Sequence, residues 1–159
     1  LSEILDDPEP TVRAAALRAL SSIGPESAPA IPFVIVVTKD EDPNVRRAAA
    51  TALGNIRDSS GHVLGTLIET LGDDDSDVRL AASRSISKME GAGVELLIKA
   101  MKNSDPTVRS LAAKTLENIG NDAAKAIPAL SQALNDEDDS VRVAAAYALE
   151  TIEEISRSE

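Results

Sequence analysis

Asp42-Pro43-Asn44-Val45-Arg46-Arg47-Ala48-Ala49-Ala50-Thr51-Ala52-Leu53-Gly54-Asn55-Ile56 is the stretch that decides how this chain folds. It opens with a carboxylate able to cap a helix N-terminus, then a proline suited to the first helical position, where no N–H needs a partner. With Val45 as position zero, apolar residues fall at offsets 0, 3, 4, 7, 8 and 11, which is one face of an α-helix. The first half of that face is small and the second half large, so a neighbouring helix can approach closely at one end.

The phrase is written five times. Val12-Arg13, Val45-Arg46, Val78-Arg79, Val108-Arg109 and Val141-Arg142 follow one another at spacings of 33, 33, 30 and 33 residues. Position +4 is Ala16, Ala49, Ala82, Ala112 and Ala145, and position +8 is Leu20, Leu53, Ile86, Leu116 and Leu149. Three residues before each Val stands Glu9, Asp42, Asp75, Asp105 or Asp138. Self-similarity at such a period marks a repeat array, whose units bury their apolar faces only by stacking.

The start signals predict second helices near 10–23, 43–56, 76–89, 106–119 and 139–155, and first helices near 27–39, 61–72, 92–103 and 122–135. Gly24, Gly61, Gly91 and Gly120 are read as the breaks between them. Ile31-Pro32 and Ile127-Pro128 make two of the first helices bend or begin late. No strand pattern occurs. The expected fold is all-α, a right-handed α-α superhelix of about five helix-pair repeats with the first incomplete. One domain spans 1–159, in units of about 1–24, 25–57, 58–90, 91–120 and 121–159. The chain opens at Leu1 inside a helical pattern without an initiator Met, and is read as a fragment of something longer.

The motif Asp-Pro-x-Val-Arg-x-x-Ala-Ala-x-x-Leu-x-x-Ile resembles the short HEAT-like repeats first named for phycobilisome lyase subunits. The resemblance covers essentially the whole chain. It implies an α-solenoid that holds other proteins, and, as an alternative, a lyase-associated or chaperone-like subunit assisting attachment of a bilin chromophore. Tetratricopeptide units would need aromatic positions and ankyrin units a Thr-Pro-Leu-His turn, and neither pattern is here.

The remaining chemistry is mostly exclusion. With no Cys there is no disulfide, thiolate metal site or Cys nucleophile. His62 is a lone histidine near a helix start, with no partner for a triad or a ligand set. The acidic turn Asp73-Asp74-Asp75-Ser76-Asp77 invites a calcium reading. An EF-hand loop, however, would place Gly where Val78 stands and Glu where Arg84 stands. Helix capping explains the turn without a metal. No enzymatic activity and no cofactor are therefore expected.

A net charge of −11, from 16 basic against 27 acidic residues, disfavours nucleic acid and anionic lipid. No apolar run is long enough to cross a membrane, so a cytoplasmic location is expected.

Two polar patterns remain. The Arg at +1 recurs in the first turn of each second helix, where the helix dipole disfavours a cation, so it needs a compensating partner. An acidic group or a carbonyl of its own or an adjacent turn is expected to supply one. The face at +2, +5, +6 and +9 is read as open, and Arg18, Arg47, Leu80, Arg84, Lys114, Val143 and Tyr147 on it are the candidate contacts for a protein or peptide partner. Tyr and Arg are the types most enriched in binding hot spots. The incomplete first repeat leaves helix 10–23 under-covered, and self-association there is a further expectation.

Overall fold

The computed structural model describes residues 2–89 and 91–158, and among them every regular element is helical. The chain divides into two compact units, 1–89 and 90–159. The first holds α1 (Ser2–Leu5), α2 (Pro10–Ile23), α3 (Ile31–Val36), α4 (Pro43–Ile56), α5 (Gly61–Thr70) and α6 (Ser76–Ser87). The second holds α7 (Val94–Ala100), α8 (Pro106–Ile119), α9 (Ile127–Ala133) and α10 (Asp139–Ser158). The second helices of the repeats are therefore α2, α4, α6, α8 and α10.

Four of those five helices begin on an aspartate cap. Asp42 accepts from the N–H groups of Asn44 (2.7 Å) and Val45 (3.4 Å), and Asp75 from Asp77 (2.8 Å) and Val78 (3.1 Å). Asp105 accepts from Thr107 and Asp138 from Ser140, each at 2.8 Å. Glu9 makes no side-chain cap at α2, because its longer side chain does not match the geometry that aspartate satisfies.

The first helices are shorter than their apolar patterns suggested. Gly24–Ala30 and Gly120–Ala126 wind as 3-10 helix, and the α-helical part starts only at Ile31 and Ile127, with a proline in each first turn. Gly24, Gly91 and Gly120 turn the chain with φ of 75°, 75° and 73°. Gly61 does not share that task and is simply the first residue of α5. In its unit the left-handed position is held by Arg57, φ 58°, which ends α4.

The first unit centres on α4, which lies between α2 and α6. Val45, Ala48, Ala49, Ala52, Leu53 and Ile56 are all buried. Ala50 and Gly54, on the other side of the helix, are buried too. A Cβ on Gly54 would stand 2.3 Å from Ser85 Oγ, and Ser85 Oγ donates to the Ala50 carbonyl at 2.9 Å. Ser85 is position +7 of α6, so the small column of one second helix seats on positions +5 and +9 of the helix before it. Asn55, at +10 of α4, makes a separate tie to α2 by donating through Nδ2 to Ser21 Oγ, position +9, at 2.7 Å.

This corrects the sequence reading of an open +5 column: Leu17, Ala50, Ser83 and Ala113 are buried. The helical run Pro10–Lys39 has the length and mean hydropathy (1.4) of a membrane-crossing segment by composition. In the first unit it is broken into short helical pieces, and Leu17 and Val34 sit in the core.

Candidate functional site

Each unit presents two contrasting surfaces, an edge of acidic turns and the outward face of the second helices. The edge is built by arginine forks. Arg13 donates through Nε and Nη2 to the two carboxylate oxygens of Asp40, both at 2.8 Å, and through Nη1 to the carbonyls of Asp7 (2.7 Å) and Pro8 (3.2 Å). Arg46 does the same with Asp73, both bonds 2.8 Å, and with the Asp40 and Glu41 carbonyls. In the second unit Arg109 holds Asp136 at 2.9 and 2.7 Å and the carbonyls of Asn103 and Ser104.

One guanidinium thus ties its own turn to the next turn along. Planar, bidentate geometry of this kind is what arginine supplies and lysine does not. It also explains why a cation is placed at a helix start.

Burial alone would raise the carboxyl pKa of Asp40 and Asp73. The hydrogen bonds from Arg13 and Arg46, the backbone N–H groups of Asp42 and Asp75 and the arginine charges outweigh it and hold both below the ordinary aspartate range. For Asp136 the Arg109 bond is the largest influence and again lowers it.

Arg79 departs from the pattern. Its guanidinium bonds go to the carbonyls of Asp73 (2.7 Å) and Asp74 (2.9 Å). Five residues before the Val of the motif, the position of Asp40, Asp73 and Asp136, the fourth unit has Asn103. An amide can still cap, and Asn103 accepts from the Asp105 N–H at 2.9 Å, but it cannot be the anionic half of a fork.

The fork and cap aspartates of the edge are therefore spent internally. In the turn that invited a calcium reading, Asp73 is taken by Arg46 and Asp75 by the start of α6. Among the described residues no group of three or more His, Cys, Asp and Glu is arranged to hold a metal ion. His62 is exposed at the start of α5.

The second-helix face is different. At +6, Arg18, Arg84, Lys114 and Tyr147 are exposed, with Thr51 half-buried. At +2, Arg47, Leu80 and Val143 are exposed, whereas Ala14 and Ser110 are buried. Ser110 turns inward because its Oγ donates to the Ser140 carbonyl at 3.2 Å. All seven candidate residues thus reach solvent.

In the first unit Leu80 and Arg84 lie one turn apart on α6. Arg47 stands beside that helix, its Nη1 3.8 Å from Asp77 Oδ2. In the second unit Val143 and Tyr147 lie one turn apart on α10, and Tyr147 is 59% exposed. The sequence reading assigned no role to Phe33 and Val36, both exposed on α3. The run Ile31–Val37 is apolar throughout, so periodicity could not tell its inner side from its outer side.

Stacked helix pairs joined by edge arginines define an α-helical repeat solenoid. The family model for HEAT repeats matches residues 1–87 and 64–150, and the chain belongs to that family. No curated protein matches it. Among solved structures, a crystal structure of an engineered protein is 26% identical with a TM-score of 0.57, over 96% of this chain and 78% of that one. The complex of CpcE and CpcF of phycocyanin lyase from Nostoc sp. is 24% identical with a TM-score of 0.63, over 96% of this chain and 64% of that one. A designed armadillo repeat protein in complex with a (KR)4 peptide is 21% identical with a TM-score of 0.54, over 95% and 80%. The last two are likenesses of fold.

Proposed function

We propose that this chain is a non-catalytic scaffold that binds a partner protein or peptide on the exposed face of its second helices. The contacts are Arg18, Arg47, Leu80 and Arg84 in the first unit and Lys114, Val143 and Tyr147 in the second. The observation that supports this reading is the contrast of the two surfaces: the fork carboxylates are consumed by arginines, while the second-helix face keeps basic, aliphatic and aromatic groups in solvent.

The designed armadillo relative holds a basic (KR)4 peptide. Here the exposed arginines and lysine suit the opposite, acidic or amphipathic helical segments whose carboxylates pair with them and whose apolar side covers Leu80 in the first unit or Val143 and Tyr147 in the second. A cytoplasmic location goes with this reading.

The test is affinity capture from a lysate with identification by mass spectrometry, followed by titration of the captured partner. The triple change Arg84→Glu, Lys114→Glu, Tyr147→Ala should abolish binding and leave the helical circular dichroism intact. If that variant binds normally and Asp73→Asn with Asp74→Asn and Asp75→Asn does not, the acidic edge is the interface. The lyase-associated alternative makes a separate demand: a free bilin should change its absorbance on mixing with the protein.

A further inference from the structure

Helices α2, α4 and α10 carry the same five residues at positions 0, 3, 4, 7 and 11. They read Val12, Ala15, Ala16, Ala19, Ile23; Val45, Ala48, Ala49, Ala52, Ile56; and Val141, Ala144, Ala145, Ala148, Ile152. In α4 and α10 all five are buried. In α2 none is: Val12 is 39% and Ile23 54% exposed, Ala15 and Ala19 are exposed and Ala16 is half-buried. The apolar surface that α4 seals against α2 is therefore presented to solvent, residue for residue, by α2 itself.

The surface that would seal it is also present. In the second unit α10 packs on α8, whose +2, +5 and +9 positions are Ser110, Ala113 and Glu117. The same positions of α10 are Val143, Ala146 and Glu150, all exposed. Position +5 is Ala and position +9 Glu in both helices.

The edge repeats the match in charge. Asp7 is to Val12 what Asp40 is to Val45. Its Oδ1 accepts from the Glu9 N–H at 2.9 Å, as Asp40 accepts from Asp42 at 2.9 Å, yet among the described side chains no arginine forks onto its carboxylate. Arg142 is to Val141 what Arg13 is to Val12. Its Nη1 clamps the carbonyls of Asp136 and Glu137, but its Nη2 turns to Asp139 on its own helix, and the side chain is 40% exposed where Arg13, Arg46 and Arg109 are 9, 16 and 8%.

We propose that this chain binds a second copy of itself head to tail: the Ala146–Glu150 face of α10 in one copy covers the Val12–Ile23 face of α2 in the next, and Arg142 forks onto Asp7 of that next copy, while Val143 stays on the neighbouring open face. The contact reproduces the α2–α4 and α8–α10 packing between molecules instead of within one. It is heterologous, so each association leaves both kinds of surface available for the next copy. The net charge of −11 opposes it, which sets moderate salt as the favourable condition.

Sedimentation velocity from micromolar to millimolar protein should show the mass rising with concentration. Arg142→Asp and Asp7→Arg should each hold the protein monomeric, the first by setting carboxylate against carboxylate and the second by setting guanidinium against guanidinium. Mixing the two variants in equal amounts should restore association, because each then supplies the complement of the other. Ala16→Glu, at a half-buried position of the same face, should also prevent it, with circular dichroism confirming that helix content is kept. A wild-type chain that stays monomeric to millimolar overturns the proposal. So does association that survives Arg142→Asp or is not rescued by mixing, and so does a dimer lost only on Ala16→Glu, which would be two α2 faces meeting.

Discussion

Helices α2 and α4 have the same length and the same five small and branched residues on one face, and they differ in what surrounds them. Helix α4 is covered on both sides, by α2 and α6, and its start is capped by Asp42. Helix α2 is covered by α4 on one side, its start has no side-chain cap, and its Val-Ala-Ala-Ala-Ile face is open. Composition alone therefore does not make the core of this protein. An alanine column contributes when a neighbour comes close enough to touch it, and alanine is used there because it permits that approach.

The largest effect should come from crowding the two columns. Ala52→Leu places three further carbons in a closed contact and should destabilise the first unit by about 3 kcal/mol, whereas Ala19→Leu on α2 should be near neutral in the monomer. Chemical denaturation of both variants reads the difference. Gly54→Ala belongs with the first, since its Cβ would stand 2.8 Å from the backbone Cα of Ser85 and 2.3 Å from its Oγ.

Next come the forks. Arg46→Met should cost about 1–3 kcal/mol, because Asp73 is left part-buried without its guanidinium. Arg79→Met should cost less, since Arg79 holds only carbonyls. The fork also sets a pH dependence. The folded Asp40 and Asp73 pKa values lie below the ordinary aspartate value of 3.8, so their contribution is present above that pH and is lost as pH falls through the folded values. Denaturation at stepped acid pH should show Arg46→Met with a shallower loss than the wild type.

The smallest contrast is at the caps. Asp42→Ala should cost about 1 kcal/mol and Glu9→Ala close to nothing, both read from thermal or denaturant midpoints.

The repeat period, the second-helix boundaries and the need for arginine partners were legible because each is written several times in residue type. What was not legible came from single departures. The +5 column is Leu17, Ala50, Ser83, Ala113 and Ala146, too mixed in polarity to read as apolar. It is buried at the first four, and within each unit the next helix brings a small +7 residue to it, Ala52 to Leu17, Ser85 to Ala50 and Ala148 to Ala113. Arg57 occupies a left-handed turn that glycine fills elsewhere, and nothing in an arginine announces it. Asn103 stands five residues before Val108, where the other units carry the fork aspartate, and an asparagine there reads as an ordinary turn residue. Among the candidate contact residues, exposure followed from offset +6 directly, whereas +2 depended on whether the residue could turn inward, as Ser110 does.

The account's central claim is that stacking on both faces, rather than the helix's own residues, sets how firmly each second helix is held. Native-state hydrogen exchange on dilute, monomeric protein tests it most directly. The amides of residues 46–56 in α4 should exchange only with global opening of the first unit, while those of residues 13–23 in α2 exchange through much smaller openings. Equal protection of the two helices in the monomer would contradict the claim.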